Sequence, residues 1–254
     1  MADVVGLLHP GEMGAAIGAV LRQRGVEVLW ASEGRSEATA ARAGAAGLTD
    51  AGTAAELARR SDVVLSVCPP HAAAEVAAAV GDFSGVFVDA NAISPAAASR
   101  IAATLARFVD GGIVGGPPSS TDGPRLYVSG ADARDIPALF EGTPVEVRVL
   151  SEQVGDASAL KMTYAAWTKG TAALLLAISE VARSEGVAEA LSDEWRESLP
   201  ELEARLESAR RSAEAKGWRW IAEMEEIAAT FAAAGEPDGF HLAAAEVFLG
   251  FPRA

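Results

Sequence analysis

The sequence predicts a doubly wound α/β domain with a mostly parallel sheet over residues 1–150, followed by an all-α domain over 151–254. Three observations predict it. Short Val-rich runs alternate with Ala-rich amphipathic stretches through the first 150 residues, the βαβα order of a parallel sheet. Several of those runs are apolar on both faces, as strands covered on two sides must be. Beyond residue 150 strand-like runs stop.

Residues 3–8 form the first strand, the pair His9-Pro10 a tight turn, and Gly11 opens a helix over 11–24 rich in small residues suited to close packing on a sheet. Gly25 ends that helix and 26–31 is the second strand, completing a βαβ unit of ordinary length. Strands follow at 62–67, 86–89, 108–114, 125–129 and 145–149, separated by helices at 53–60, 71–80, 95–107 and 133–140. Residues 156–184 read as one long helix, apolar nearly all round through Leu160, Met162, Trp167, Leu174, Leu175, Leu176 and Ile178. A helix without a polar face is buried on all sides, which in so small a domain calls for a partner subunit. Ser198-Leu199-Pro200-Glu201 reads as a capping box that opens a further helix. Trp220, Met224, Ile227 and Phe231 mark the apolar stripe of the next, Gly235 stops it, and a last helix spans 238–249.

Composition narrows the function classes. Of 254 residues half are hydrophobic, and the formal net charge is −14. That charge argues against nucleic acid and anionic membrane as partners. No apolar run approaches the ~20 residues of a membrane span, and a strand beginning at residue 3 leaves no room for a signal peptide. A cytoplasmic protein is expected. The single cysteine, Cys68, excludes an internal disulfide and fits a reducing compartment. Lysine is rare against many arginines, with only Lys161, Lys169 and Lys216.

The turn at His9 to Gly14 carries the first chemistry. A strand, a turn of low bulk and a helix N-terminus are what a dinucleotide pyrophosphate needs, since free N–H groups and the positive dipole end face the phosphates. The usual three-glycine spacing places its glycines at 9, 11 and 14; here His9 stands at the first, with Gly11 and Gly14 at the others. The expected cofactor contacts in this turn are His9, Pro10, Gly11, Glu12, Met13 and Gly14. After the second strand, Ala31-Ser32-Glu33-Gly34-Arg35-Ser36 decides the nicotinamide cofactor. An acid there binds a ribose 2′-hydroxyl, whereas Arg and Ser receive a 2′-phosphate. Ser32, Gly34, Arg35 and Ser36 favour NADP(H) over NAD(H), and Glu33 dissents.

Five segments in order resemble the β-hydroxyacid dehydrogenase superfamily, which includes 6-phosphogluconate and 3-hydroxyisobutyrate dehydrogenases and the imine reductases. The closest likeness is to the branch with a 6-phosphogluconate-dehydrogenase-like C-terminal domain of unknown function. Pro10-Gly11-Glu12-Met13-Gly14 parallels the family's L-G-x-M-G, and Asp62 to Pro70 is a strand ending in Cys68-Pro69-Pro70 beside the cofactor. Val88 to Pro95 matches D-x-S-T-x-S-P, Phe108 to Gly116 matches F-x-D-A-P-V-S-G-G, and Val154 to Met162 matches the helix bearing the catalytic lysine.

The resemblance implies a Rossmann domain over 1–150, a helical substrate and dimerisation domain over 151–254, and Lys161 as general acid/base. Apolar neighbours Ala159, Leu160 and Met162 suit that role, because a desolvated ammonium releases its proton more readily. Cys68, Pro69, Pro70 and Asn91 are expected at the cofactor. Asn91, Gly115, Gly116, Tyr164, Thr168 and His241 are expected around a small hydroxy, keto or imine substrate. Departures from the family are equally specific. Ala165 replaces the Asn four residues after the lysine, Asn91 and Ala92 replace Ser and Thr, and Val114 replaces the Ser before the two glycines. These changes remove oxygens that hold a small carboxylate, so the usual substrates do not carry over. No metal spacing joins His9, His71 and His241, and none is expected. His9 reads as a contact to pyrophosphate or nicotinamide, His71 as a surface residue, and Cys68 as a small hydrophobe. The rival reading is a catalytically inactive dinucleotide-binding sensor or partner subunit.

Overall fold

The computed structural model describes residues 3–119 and 122–252. It divides into two compact units, Met1–Lys161 and Met162–Ala254, where the sequence reading placed the junction at 150/151. The first turns of the long helix belong with the sheet because the end of a central strand holds them.

The first unit is built on β1 (Val4–Leu8), α1 (Glu12–Gln23), β2 (Glu27–Trp30), α2 (Glu37–Ala45), β3 (Thr49–Asp50), α3 (Ala54–Arg60), β4 (Val63–Ser66), α4 (Ala73–Ala78), β5 (Val86–Asp89), α5 (Pro95–Ala102), β6 (Phe108–Val114), β7 (Arg125–Ser129), α6 (Ile136–Phe140) and β8 (Glu146–Ser151). The eight strands lie in the order β3-β2-β1-β4-β5-β6-β7-β8. Every pairing is parallel except β6 with β7. The chain winds outward from β1 to β3 and then returns to lay β4 beside β1. That reversal opens a crevice at the carboxyl ends of the strands, where open α/β sheets take their ligands. Two apolar clusters cover the sheet. One includes Leu7, Ile17, Leu21, Val28 and Val109; the other includes Leu29, Leu57, Val64, Phe87 and Ile101.

Two elements of this unit went unread in the sequence, α2 and β3. Helix α2 buries only Ala43, so its hydrophobic signal is slight, and a side-chain cap starts it, with Ser36 accepting the Thr39 N–H. Strand β3 is two residues long. Strand β8 is an edge strand, largely exposed.

The second unit continues α7 (Asp156–Ser184) and adds α8 (Ala188–Ser198), α9 (Leu202–Ala233) and α10 (Gly239–Leu249). Helix α8 was not foreseen, and the proposed capping box does not form. Ser198 ends α8, its hydroxyl donating to the Glu194 carbonyl at 2.9 Å, and α9 starts after Glu201 with no side-chain cap. Back-bonding to the preceding turn removed the hydroxyl from capping duty. The two helices expected between 198 and 234 are one helix of 32 residues. Met224 and Ile227 are fully buried, and Trp220 meets Phe248 of α10 edge-on at 5.0 Å.

In the single chain, helix α7 is buried on one side and leaves apolar residues exposed on another. Ala165, Ala172, Ala173 and Leu176 are buried, but Trp167, Leu174 and Val181 are 65%, 59% and 61% exposed. Among the described residues no helix is long and apolar enough to cross a membrane.

Candidate functional site

The dinucleotide turn starts from an unusual backbone. His9 has φ 65°, the one non-glycine residue with positive φ among those described. A glycine enters this left-handed region freely, whereas a side chain there costs about 1–2 kcal/mol. The conformation aims the His9 carbonyl back at the helix, where it accepts the Gly11 N–H at 2.8 Å. A Cβ on Gly14 would lie 2.6 Å from that same carbonyl oxygen, so position 14 must stay bare for the turn to close. Around Gly11, by contrast, nothing lies within 4 Å of an added Cβ. The N-terminus of α1 is thus left open, as phosphate oxygens approaching its amides require. Glu12 and Met13 form the first turn of α1, and Pro10 is buried behind them.

A cavity of about 260 Å³ lies beside this turn, lined by His9, Ala31, Glu33, Arg35, Glu75 and Val76 among others. It brings the residues after β2 together with α4 and places His9 among them. Gly34 has φ 69° and lets the chain turn between Glu33 and Arg35. Arg35 is exposed, while the Ser36 hydroxyl is committed to capping α2, 3.1 Å from Thr39 Oγ1. Ser32 accepts the Arg35 N–H through its carbonyl.

Asn91 is 2% exposed and its side chain is fully engaged within the protein. Its Oδ1 accepts the Cys68 N–H at 2.5 Å, and its Nδ2 donates to Ser66 Oγ at 3.0 Å. It therefore ties the loop after β5 to the end of β4 and sets the path of Cys68-Pro69-Pro70. Burial pushes the Cys68 thiol up to about 12, so it stays protonated and unreactive. Asp89, beside Asn91, accepts the Asn91 N–H, and burial raises its carboxyl to about 7.

Lys161 reaches the carboxyl end of β6, where its Nζ donates to the Ile113 carbonyl at 2.8 Å. Two features the sequence reading passed over put it there. Asp110, fully buried on β6, accepts the Gly155 N–H at 3.0 Å, the Ser158 N–H at 2.9 Å, Ser158 Oγ at 2.6 Å and Ser129 Oγ at 3.2 Å. A carboxylate at a helix N-terminus satisfies donors that have no partner inside the helix and complements its dipole. Gly112 on the same strand supplies the clearance, since a Cβ there would stand 2.9 Å from both the Ala157 carbonyl oxygen and Lys161 Cβ. The pattern F-x-D contained the acid; only its partners identify its task.

Gly115 and Gly116 follow β6, the former with φ 125° and packed against Pro124. In the helical unit, Tyr164 and Thr168 are exposed, and Thr168 back-bonds to its own helix. His241 is buried, its ring 4.2 Å from Phe231, and burial lowers its pKa. The other lysines are occupied differently. Lys169 pairs with Glu223 in a largely buried ion pair, and Lys216 lies 6.0 Å from the Trp220 ring centroid. His71 is exposed. Among the described residues no three His, Cys, Asp or Glu side chains form a group that could hold a metal ion.

A doubly wound sheet, an open helix N-terminus after its first strand and a crevice beside it define a dinucleotide-binding protein. Residues 4–140 match the NAD binding domain of 6-phosphogluconate dehydrogenase, and residues 182–249 match a domain of unknown function, DUF1932. The chain belongs to this 6-phosphogluconate-dehydrogenase-like superfamily, in the branch carrying that C-terminal domain. A protein of Methanothermus fervidus, described as an uncharacterized 28.5 kDa protein in the 7S RNA 5′ region, is 32% identical over 205 residues, covering 79% of this chain and 78% of that one. The solved structure of conserved protein MTH1747, described as structurally similar to 3-hydroxyacid dehydrogenases, is 30% identical with a TM-score of 0.71, covering 98% of this chain and 96% of that one. Mycobacterium tuberculosis 3-hydroxyisobutyrate dehydrogenase shares the fold at 18% identity and TM-score 0.72, covering 99% of this chain and 94% of that one.

Proposed function

We propose that the protein is an NADP(H)-dependent oxidoreductase that moves hydride to or from a small hydroxy, keto or imine substrate, with Lys161 as general acid/base. The observation that carries this reading is the Lys161 amine at the carboxyl end of β6, 2.8 Å from the Ile113 carbonyl and clamped there through Asp110. A bound nicotinamide supplies or takes up the hydride. Lys161 handles the proton: in oxidation the amine accepts it from the substrate hydroxyl as hydride leaves the carbon, and in reduction the ammonium returns it. Asn91 acts as a positioning residue, through Ser66 and Cys68. Gly115 and Gly116 give a substrate backbone room, and His241 serves helix packing in this reading.

Cofactor class is tested first, by following quenching of the five tryptophans on titration with NADPH and with NADH. Tighter NADPH binding, by about tenfold or more, is expected from the exposed Arg35 guanidinium, and Arg35→Ala is expected to narrow the gap. Preference for NADH would hand the ribose to Glu33. Binding of neither would overturn the oxidoreductase reading, and binding without turnover of any ketone, keto acid or imine would favour the sensor.

We further propose a homodimer through the helical unit. Along α7 the residues Tyr164, Trp167, Thr171, Leu174, Ile178 and Val181 recur at alternating spacings of three and four, the pattern of a helix–helix seam. A largely apolar stripe of that period, exposed at Trp167, Leu174 and Val181, suits the same stripe on a second copy, related by a two-fold axis. Sedimentation is expected to give the mass of a dimer, with Trp167→Glu weakening association at least about tenfold. A monomeric parent would refute this.

A further inference from the structure

We propose that His9 and Arg35 together form the recognition site for the ribose 2′-phosphate, with His9 the residue that admits the phosphate's second negative charge. The inference deepens the NADP(H) reading and rests on it.

Three independent observations converge on His9. The turn keeps a side chain at a backbone position that glycine would take without cost, φ 65°. Residues held in such a conformation gather at ligand-binding sites, where the strain is offset by what the residue does. Both ring nitrogens are buried and have no hydrogen-bond partner among the described residues, a condition that costs about 1–3 kcal/mol per stranded polar group until a ligand relieves it. His9 is among the residues that line the cavity of about 260 Å³, with Glu33, Arg35 and Glu75, whereas Gly11, Glu12 and Met13 are not. His9 therefore lines the same cavity as Arg35, the residue that is to receive the 2′-phosphate.

Charge decides what that cavity accepts. The charged groups that line the cavity with His9 are Glu33 and Arg35 after β2 and Glu75 on α4, and Arg42 of α2 reaches the neighbouring Pro10, its Nε donating to the Pro10 carbonyl at 3.4 Å. With His9 neutral, two carboxylates in the cavity outweigh one guanidinium, and a phosphate dianion is disfavoured. With His9 protonated, the four lining charges balance and the dianion has two cationic partners. Burial, and then the neighbouring Arg35, lower the His9 pKa to about 4, so the free protein holds it neutral at pH 7. A phosphate beside the ring favours imidazolium, so ligands bearing the 2′-phosphate bring a proton with them and bind more tightly as pH falls. A ribose 2′-hydroxyl carries no charge and has no such linkage.

The test uses adenosine 2′,5′-bisphosphate and ADP, which share adenosine and lack nicotinamide, titrated calorimetrically into the intact protein from pH 8 to 5.5. For the parent, the bisphosphate is expected to bind about tenfold or more tightly than ADP and to gain roughly three- to tenfold per pH unit as pH falls, with net proton uptake. His9→Asn tolerates the left-handed backbone and His9→Gly restores the ordinary fingerprint. Both are expected to lose about tenfold for the bisphosphate while ADP binding holds. The phosphate's own titration near pH ~6 remains in both variants and is thereby subtracted. Variants that match the parent for the bisphosphate at every pH would overturn the inference and leave His9 a turn residue only. A parent that prefers ADP would overturn it in favour of Glu33. Failure of both ligands to bind would instead remove the cofactor assignment beneath it, which the dinucleotide titration detects separately.

Discussion

Lys161→Ala is expected to leave NADPH affinity within about twofold of the parent and to lower kcat by roughly 10²–10⁴-fold. The side chain projects toward the end of β6, away from the α1 turn that is to hold the pyrophosphate, so binding and proton transfer are separable. Alanine is compatible with the helix, and truncation removes the hydrogen bond to the Ile113 carbonyl. Folding should therefore survive, and a melting curve close to the parent's would document it. Lys161→Arg keeps the charge but holds its proton far above working pH, so its rate should resemble alanine's more than lysine's. If Lys161→Ala turns over at the parent's rate, the proton moves through another group and the proposed mechanism fails.

Asp110→Ala carries the largest expected cost in stability. The carboxylate accepts two backbone N–H groups of the α7 N-terminus and the hydroxyls of Ser129 and Ser158, all in a buried environment. Truncation strands those donors without water, and at about 1–3 kcal/mol per unsatisfied group a loss of ~3–5 kcal/mol follows. At roughly 2–4 °C per kcal/mol for a chain of this size, the thermal midpoint should fall by about 10 °C or more. Asp110→Asn is the informative companion. Its remaining oxygen can still receive Gly155 and Ser158, and its amide can donate to the Ser158 hydroxyl, so mainly the charge opposite the helix dipole is lost, up to ~2 kcal/mol. A stability order of parent, Asn, Ala supports the anchoring role. An Ala variant as stable as the parent would show that α7 is held by apolar packing alone.

The same anchor makes a functional point. A general acid/base must keep hydrogen-bonding geometry with its substrate, and Lys161 sits less than two turns past the Asp110 contacts. Activity lost in Asp110→Asn beyond its loss of stability would appear in kcat with the substrate KM little changed, since the defect lies in aiming the amine.

How much was legible in the sequence follows from the range of each interaction. The αβ alternation, the sheet class, the α1 turn and the helix bearing Lys161 were readable because each is written in neighbouring residues: period, small-residue turns and caps. Helix α2 escaped because it buries a single alanine. The capping motif at Ser198 misled because the same hydroxyl serves equally well one turn back in α8. Asn91 was readable as a site residue by its motif position, yet its two side-chain bonds reach back to Ser66 and Cys68 across more than twenty residues of sequence.

Sequence alone determined the class of fold, the dinucleotide fingerprint with its histidine, and the lysine worth testing. Those depend on local backbone preference and on residue spacing, which a linear string carries directly. Only the tertiary structure decided that Asp110 clamps the lysine helix, that Gly112 clears its path, and that His9 lines a cavity with Glu33, Arg35 and Glu75. Asp110 meets Ser158 across 48 positions of chain, and nothing in either residue's neighbours marks the other. Such pairings exist because folding the sheet brings distant segments side by side, and their energies arise from burial and partner geometry that come into being only when it is complete.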